Sequence, residues 1–154
     1  MITQFVYPAI FTPDTEDGGF VITFPDVPEA ITQADSIAMG LEEATDCLDE
    51  AISGRLRLNK PLPPPSILET EHYLIYLPAQ TATKALLMQA LAESAMSSSE
   101  LAKRIHCNKK AVLRLLDPKY ASSLSELETA FKAIGCRFTP HIIQSSNYDG
   151  FTIK

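Results

Sequence analysis

Between Ser97 and Leu116 the chain starts a helix, ends it and starts a second within twenty residues, which leaves few folds open. Ser97-Ser98-Ser99-Glu100 is a capping box, in which a serine accepts from an orphan amide and the glutamate reaches back. It launches a short helix to Ile105. A three-residue break, His106-Cys107-Asn108, precedes a second helix over Lys109–Leu116, which Pro118 ends. Leu101, Ala102 and Ile105 face Val112 and Leu115 across the break, and the small Ala102 permits the close crossing of a helix-turn-helix. The turn position usually held by glycine is His106, and histidine is among the residues that tolerate a left-handed backbone.

The outward positions of the second helix are Lys109, Lys110 and Arg114. Residues 98–120 hold six basic side chains against two acidic ones, Glu100 and Asp117. A helix that reads DNA needs cations for phosphates and long donors for base edges near its N-terminus. Lys110 and Arg114 lie four apart on one face; Arg114 suits a bidentate guanine contact, Lys110 a base or a phosphate. Lys103 and Arg104 end the first helix as phosphate candidates, and Ser98, Lys109 and Lys119 complete the expected DNA-binding set. Asn108 either caps the second helix or turns its amide to DNA. The competing reading is a solvated basic face on a helical bundle.

Charge divides the chain in the same place. The net −6 splits into −10 for residues 1–80 and +4 for residues 81–154. A basic half suits phosphate, whereas an acidic half repels it and suits a cationic protein. The expected organisation is an α+β chain: a β-β-β-α-β domain over 1–78, an all-α, Cro/repressor-like helix-turn-helix domain over 79–143, and a tail over 144–154. In the first domain Phe5, Tyr7 and Phe11 share one face of a strand, and Pro8 limits that strand to an edge or to pairing on one side there. A polar turn from Asp14 to Gly19 leads to a second strand, Phe20–Phe24, and a third follows at Ala30–Gln33. A helix capped by Asp35 or Ser36 carries Ile37, Leu41, Ala44, Leu48 and Ile52 on one stripe, and Gly54 suits its stop. Pro61-Leu62-Pro63-Pro64-Pro65 forms a stiff connector to a fourth strand, His72–Leu77. Beyond it, a helix is expected over Lys84–Leu91, a second capping box at Ser123–Glu126, and a short strand over Arg137–Ile143.

A β-β-β-α-β unit resembles a truncated ribonuclease H fold, so metal-dependent phosphodiester cleavage has to be weighed. That chemistry needs carboxylates clustered at strand ends to hold two metals. The first strand, Phe5–Thr12, contains no acid, and Asp14, Glu16, Asp17 and Asp26 lie in the hairpin turn and a loop. No serine, cysteine or histidine of this half has an evident activating partner, so no enzyme activity, metal or cofactor is expected. Asp14, Glu16, Asp17 and Asp26 are instead candidates for docking a small basic protein. Cys47, Cys107 and Cys136 are widely spaced and read as free thiols of a reducing compartment. No apolar run nears the ~18 residues that span a bilayer, and no signal peptide is evident, so a cytoplasmic protein is expected.

Tyr7-Pro8-Ala9-Ile10-Phe11, Gly18-Gly19-Phe20-Val21-Ile22-Thr23-Phe24-Pro25-Asp26-Val27-Pro28 and Ile31-Thr32-Gln33-Ala34-Asp35 together resemble the N-terminal signature of HicB-type antitoxins. The likeness continues through the helix, the proline-rich connector, the fourth strand and Ser97–Leu116, and stops short of the tail. It implies a toxin-antitoxin system, in which the N-terminal half binds and inhibits a HicA-type toxin, a small basic ribonuclease that cleaves messenger RNA. The C-terminal half would bind the operator of its own operon, usually as a dimer or larger assembly. It also implies a partial ribonuclease H-like unit lacking catalytic acids. Some members carry a ribbon-helix-helix instead; this sequence looks like the helix-turn-helix branch. A stand-alone regulator whose first half senses a ligand, and a degenerate nuclease, are the readings it competes with.

Overall fold

The computed structural model describes residues 4–142, so the tail 144–154 and residue 143 lie outside the described residues. Four strands, β1 (Val6–Pro13), β2 (Phe20–Thr23), β3 (Ile31–Ala34) and β4 (Tyr73–Tyr76), form one antiparallel sheet in the order β3-β2-β1-β4. Helix α1 (Ile37–Arg57) lies between β3 and β4 in sequence. Helices α2 (Ala79–Glu93), α3 (Ser98–Arg104), α4 (Lys109–Leu116) and α5 (Leu124–Ala133) follow. The expected α+β order is therefore present.

Local chemistry explains the sheet. The Asp14 carboxylate accepts from the amides of Glu16 at 3.0 Å and Asp17 at 3.2 Å, closing the hairpin turn. Gly19 (φ +76°) ends that turn against β3, where a Cβ would stand 2.5 Å from the Ala34 carbonyl oxygen. Proline is tolerated in the inner strand β1 for a reason of phase. The Leu77 amide donates to the Phe5 carbonyl at 3.1 Å, which makes Tyr7↔Ile75 a hydrogen-bonded pair and Pro8↔Leu74 a non-bonded one. The amide that Pro8 lacks would face β2, but β2 pairs with β1 only from Ile10 onward. One-sided pairing at Pro8 is what the sequence leads one to expect.

One face of the sheet, with Tyr7, Ile22, Phe24 and Ile75, is buried under Ala44, Leu48 and Ile52 of α1. Ser36, not Asp35, caps that helix, its Oγ accepting from the Met39 amide at 3.3 Å. Gly40 lets the first turn approach the sheet, since a Cβ there would meet the Phe11 ring at 2.5 Å. Two expectations for α1 need correction. Ile37 is 38% exposed, because the buried stripe begins one turn later at Gly40. Gly54 does not end the helix, which continues to Arg57 because Leu56 still packs in the core; Asn59, at φ 51°, makes the left-handed exit.

The connector 58–72 is tied down along its length. Tyr7 donates its hydroxyl to the Pro63 carbonyl at 2.9 Å, and burial pushes that phenol up to about 12. Asp26 accepts from the Ser66 amide at 2.9 Å and from its hydroxyl, and Arg55 grips Glu29 through two bonds of 2.5 and 2.9 Å. An extended chain of this length reaches ~45 Å. That exceeds the ~31 Å of a 21-residue helix, so the connector can return along α1 and let β4 enter antiparallel to β1.

Helix α2 begins at Ala79, five residues before the expected start, because Thr81 and Thr83 are buried although polar. Ala85 joins the core under the sheet, while Leu87 and Ala90 pack with Leu115, Leu127 and Phe131, and Leu91 with Leu101, Ala102 and Val112. One helix thus serves both halves. Residues 137–142 form no strand; Phe138 instead stacks on Phe131 with ring centroids 5.3 Å apart. The three cysteines are free thiols.

Candidate nucleic-acid interface and acidic face

Helices α3 and α4 form the expected pair. Ser97 accepts from the Glu100 amide at 3.1 Å and the Glu100 carboxylate accepts from the Ser97 amide at 2.8 Å, which holds that carboxyl below its usual range. Asn108 caps α4, its Oδ1 accepting from the Ala111 amide at 2.8 Å, the capping one of its two sequence readings. His106 has φ 55° and supplies the left-handed turn in place of glycine. Leu101, Ala102, Val112 and Leu115 are buried between and beneath the helices.

This packing turns Lys109, Lys110 and Arg114 outward, all exposed, with Leu113 (51% exposed) between them. Lys103 and Lys119 are exposed nearby, and Ser98 is half-buried in the first turn of α3. Arg104 is exposed but donates at 2.9 Å to the Ala133 carbonyl at the end of α5, a structural contact that spacing does not reveal. The Arg114 guanidinium lies 5.5 Å from the centre of the Tyr120 ring, which limits where that arginine can reach. A hollow of about 410 Å³ lies beside it, lined by Asn108, Lys110, Tyr120 and Glu126 among others.

Lys84 is the residue that sequence reasoning missed. Its ammonium, on α2 and without exposed surface, donates to the Arg114 carbonyl at 3.1 Å, the Asp117 carbonyl at 2.8 Å and the Tyr120 carbonyl. Three donors meet three acceptors at the end of α4, where a cation also complements the helix dipole. Burial favours the neutral amine and shifts the group downward, while the Asp117 and Glu126 charges oppose that. Only an apolar run marks Lys84 in the sequence, so its role was not legible there.

The acidic candidates divide. Asp14 closes its own turn, whose amide bonds hold the carboxyl below its usual range, and Asp26 fixes Ser66. Glu16 and Asp17 are exposed at the turn. Among the described residues no group of three or more His, Cys, Asp or Glu side chains is placed to hold a metal ion.

A family described as "HicB_like antitoxin of bacterial toxin-antitoxin system" matches residues 6–86, more than half of the chain. Antitoxin HicB of Escherichia coli K12 is 36% identical over 129 residues, covering 84% of this chain and 93% of that protein. The chain belongs to the HicB-like antitoxin family. Antitoxin HicB 1 of Photorhabdus laumondii is 31% identical over 139 residues (90% and 88% coverage), and Antitoxin HicB of Pseudomonas fluorescens is 30% identical over 123 residues (79% and 84%). In this HicB-like antitoxin the family match takes in the whole sheet unit and the first turns of α2. A 129-residue span in a chain of 154 must also include α3 and α4, so the likeness to the Escherichia coli relative reaches the basic helices. None of the described helices is long and apolar enough to cross a membrane.

Proposed function

We propose that this antitoxin inhibits a HicA-type toxin through its sheet unit and represses its own operon through α3 and α4, acting in the cytoplasm as a dimer or larger assembly. The observation that carries the DNA half is the exposed row Lys109, Lys110 and Arg114 on a helix whose other side is anchored by Val112 and Leu115. Helix α4 then enters the major groove, in the manner of a Cro/repressor-like helix-turn-helix. Lys110 and Arg114 address bases, Arg114 from its seat on Tyr120. Lys103, Lys109, Lys119 and Ser98 serve phosphates, and Arg104 does so with the donors left after its bond to Ala133. Asn108 contributes through its capping of α4.

The toxin half rests on family membership and on the sheet unit, read here as a partial ribonuclease H-like domain over 1–78 followed by the DNA-binding domain over 79–143. Glu16 and Asp17 are the exposed carboxylates of the hairpin turn available to a cationic protein; Asp14 and Asp26 act by shaping the loops beside them. No catalytic step is assigned to this chain. The test is a fluorescence-anisotropy titration of the promoter fragment upstream of the gene, beside co-purification with the HicA-type toxin of the same genome. Saturable, sequence-selective DNA binding and a stable complex support the reading; absence of either removes that half.

A further inference from the structure

Among the described residues strand β4 lies at one edge of the sheet, with β1 as its one strand neighbour. The phase fixed by Leu77 and Phe5 turns the Leu74 amide and carbonyl away from β1. A groove of about 500 Å³ runs between that edge and α1, lined by Leu41, Thr45, Leu74 and Ile75 and rimmed by Glu42 and Asp46. None of the usual devices that blunt an edge, proline or lysine, occurs in Tyr73–Tyr76.

Charge and pattern narrow the occupant. Among the described residues Glu42, Glu43 and Asp46 have no ion-pair partner, whereas Glu50 meets Arg57 at 3.3 Å. Asp49, on the same helical stripe, keeps a buried Oδ1 that lacks a donor among the described residues. On the sheet face turned away from α1, Leu74 stands opposite Pro8 and beside Val6 and Ile10, with no charge among the four. A strand added to β4 alternates its side chains between these two surroundings, an acidic rim on one side and an uncharged apolar face on the other.

We propose that the groove between β4 and α1 is the docking site for an extended segment of a small basic protein, in which cationic side chains alternate with apolar ones. This rests on the toxin-inhibition reading above and gives it a place distinct from the hairpin turn. The backbone of the segment bonds Leu74, its cations meet Glu42 and Asp46, and its apolar side chains extend the face of Val6, Pro8 and Ile10.

The probe is the HicA-type toxin of the same genome, titrated calorimetrically into the full-length chain at low and high salt. The double variant Glu42→Lys/Asp46→Lys changes exposed side chains only, and Leu74→Pro removes an amide that bonds none of the described residues. Each is expected to weaken binding about tenfold or more, with the charge variant also losing the salt dependence. Glu93→Lys/Glu128→Lys, at exposed carboxylates outside the sheet unit, is expected to change it by less than about twofold. Undiminished binding by the charge variant overturns the proposal while leaving toxin inhibition in place. Failure of the wild-type chain to bind overturns both. A chain that is dimeric alone and becomes monomeric with Leu74→Pro assigns the edge to a second copy, and equally overturns it.

Discussion

A lysine without exposed surface must find a partner for each proton, and Lys84 finds three in the carbonyl oxygens of Arg114, Asp117 and Tyr120. Replacing it with Met strands those carbonyls, so Lys84→Met should cost ~1–3 kcal/mol in urea unfolding and weaken promoter binding beyond that of an exposed lysine variant. At Gly40 the limit is space: the Phe11 ring lies where a Cβ would stand, and Gly40→Ala should destabilise by ~1–3 kcal/mol. Glu29 gives a pH signature. Arg55 holds its carboxyl at about 2 against an ordinary 4.5, so the pair stabilises fully above the ordinary value and loses that contribution as pH falls through the folded one. Glu29 is exposed, and solvent screening limits the effect to ~1 kcal/mol or less. Glu29→Gln should lower stability at neutral pH by that amount in urea unfolding, change it little below a pH of about 2, and so flatten the acid side of the stability–pH curve.

At the scale of elements, the proposed DNA-binding role divides base from phosphate contacts along α4. Arg114→Ala should cost ~1–3 kcal/mol of specific promoter binding and relax one base position. Lys109→Ala should weaken binding to all sequences and lower the salt slope by ~1. Anisotropy on matched and scrambled fragments separates the two outcomes. The elements that were legible in the sequence are those whose ends carry their own chemistry: the boxes Ser97–Glu100 and Ser123–Glu126, the Asn108 cap and the His106 turn. Those that were not depend on distant partners. The helix runs past Gly54 because Leu56 is buried, α2 starts early because Thr81 and Thr83 are covered, and 137–142 is no strand because Phe138 rests on Phe131. The site followed the same rule. Outward Lys109, Lys110 and Arg114 follow from helical spacing, whereas Tyr120 under Arg114 and Lys84 behind α4 are tertiary facts. Asp26 likewise reads as a free surface acid until the connector brings Ser66 to it.

Across the whole molecule, α2 is the shared element, because its residues enter the core under the sheet and the core beneath α4 alike. The acidic unit and the basic helices are thus joined by packing as well as by sequence, yet their surfaces differ in charge, which suits them to different partners. Mutations on the exposed face of α4 should therefore leave toxin binding alone, whereas core changes in α2 should disturb both activities. The most direct measurement is a titration of the toxin's RNA cleavage with this chain, wild-type and Lys109→Ala/Lys110→Ala/Arg114→Ala. The proposed division of labour predicts that both abolish cleavage at the same stoichiometry while only the wild type retains promoter binding. No inhibition by the wild-type chain, or inhibition lost in the triple variant, would contradict it.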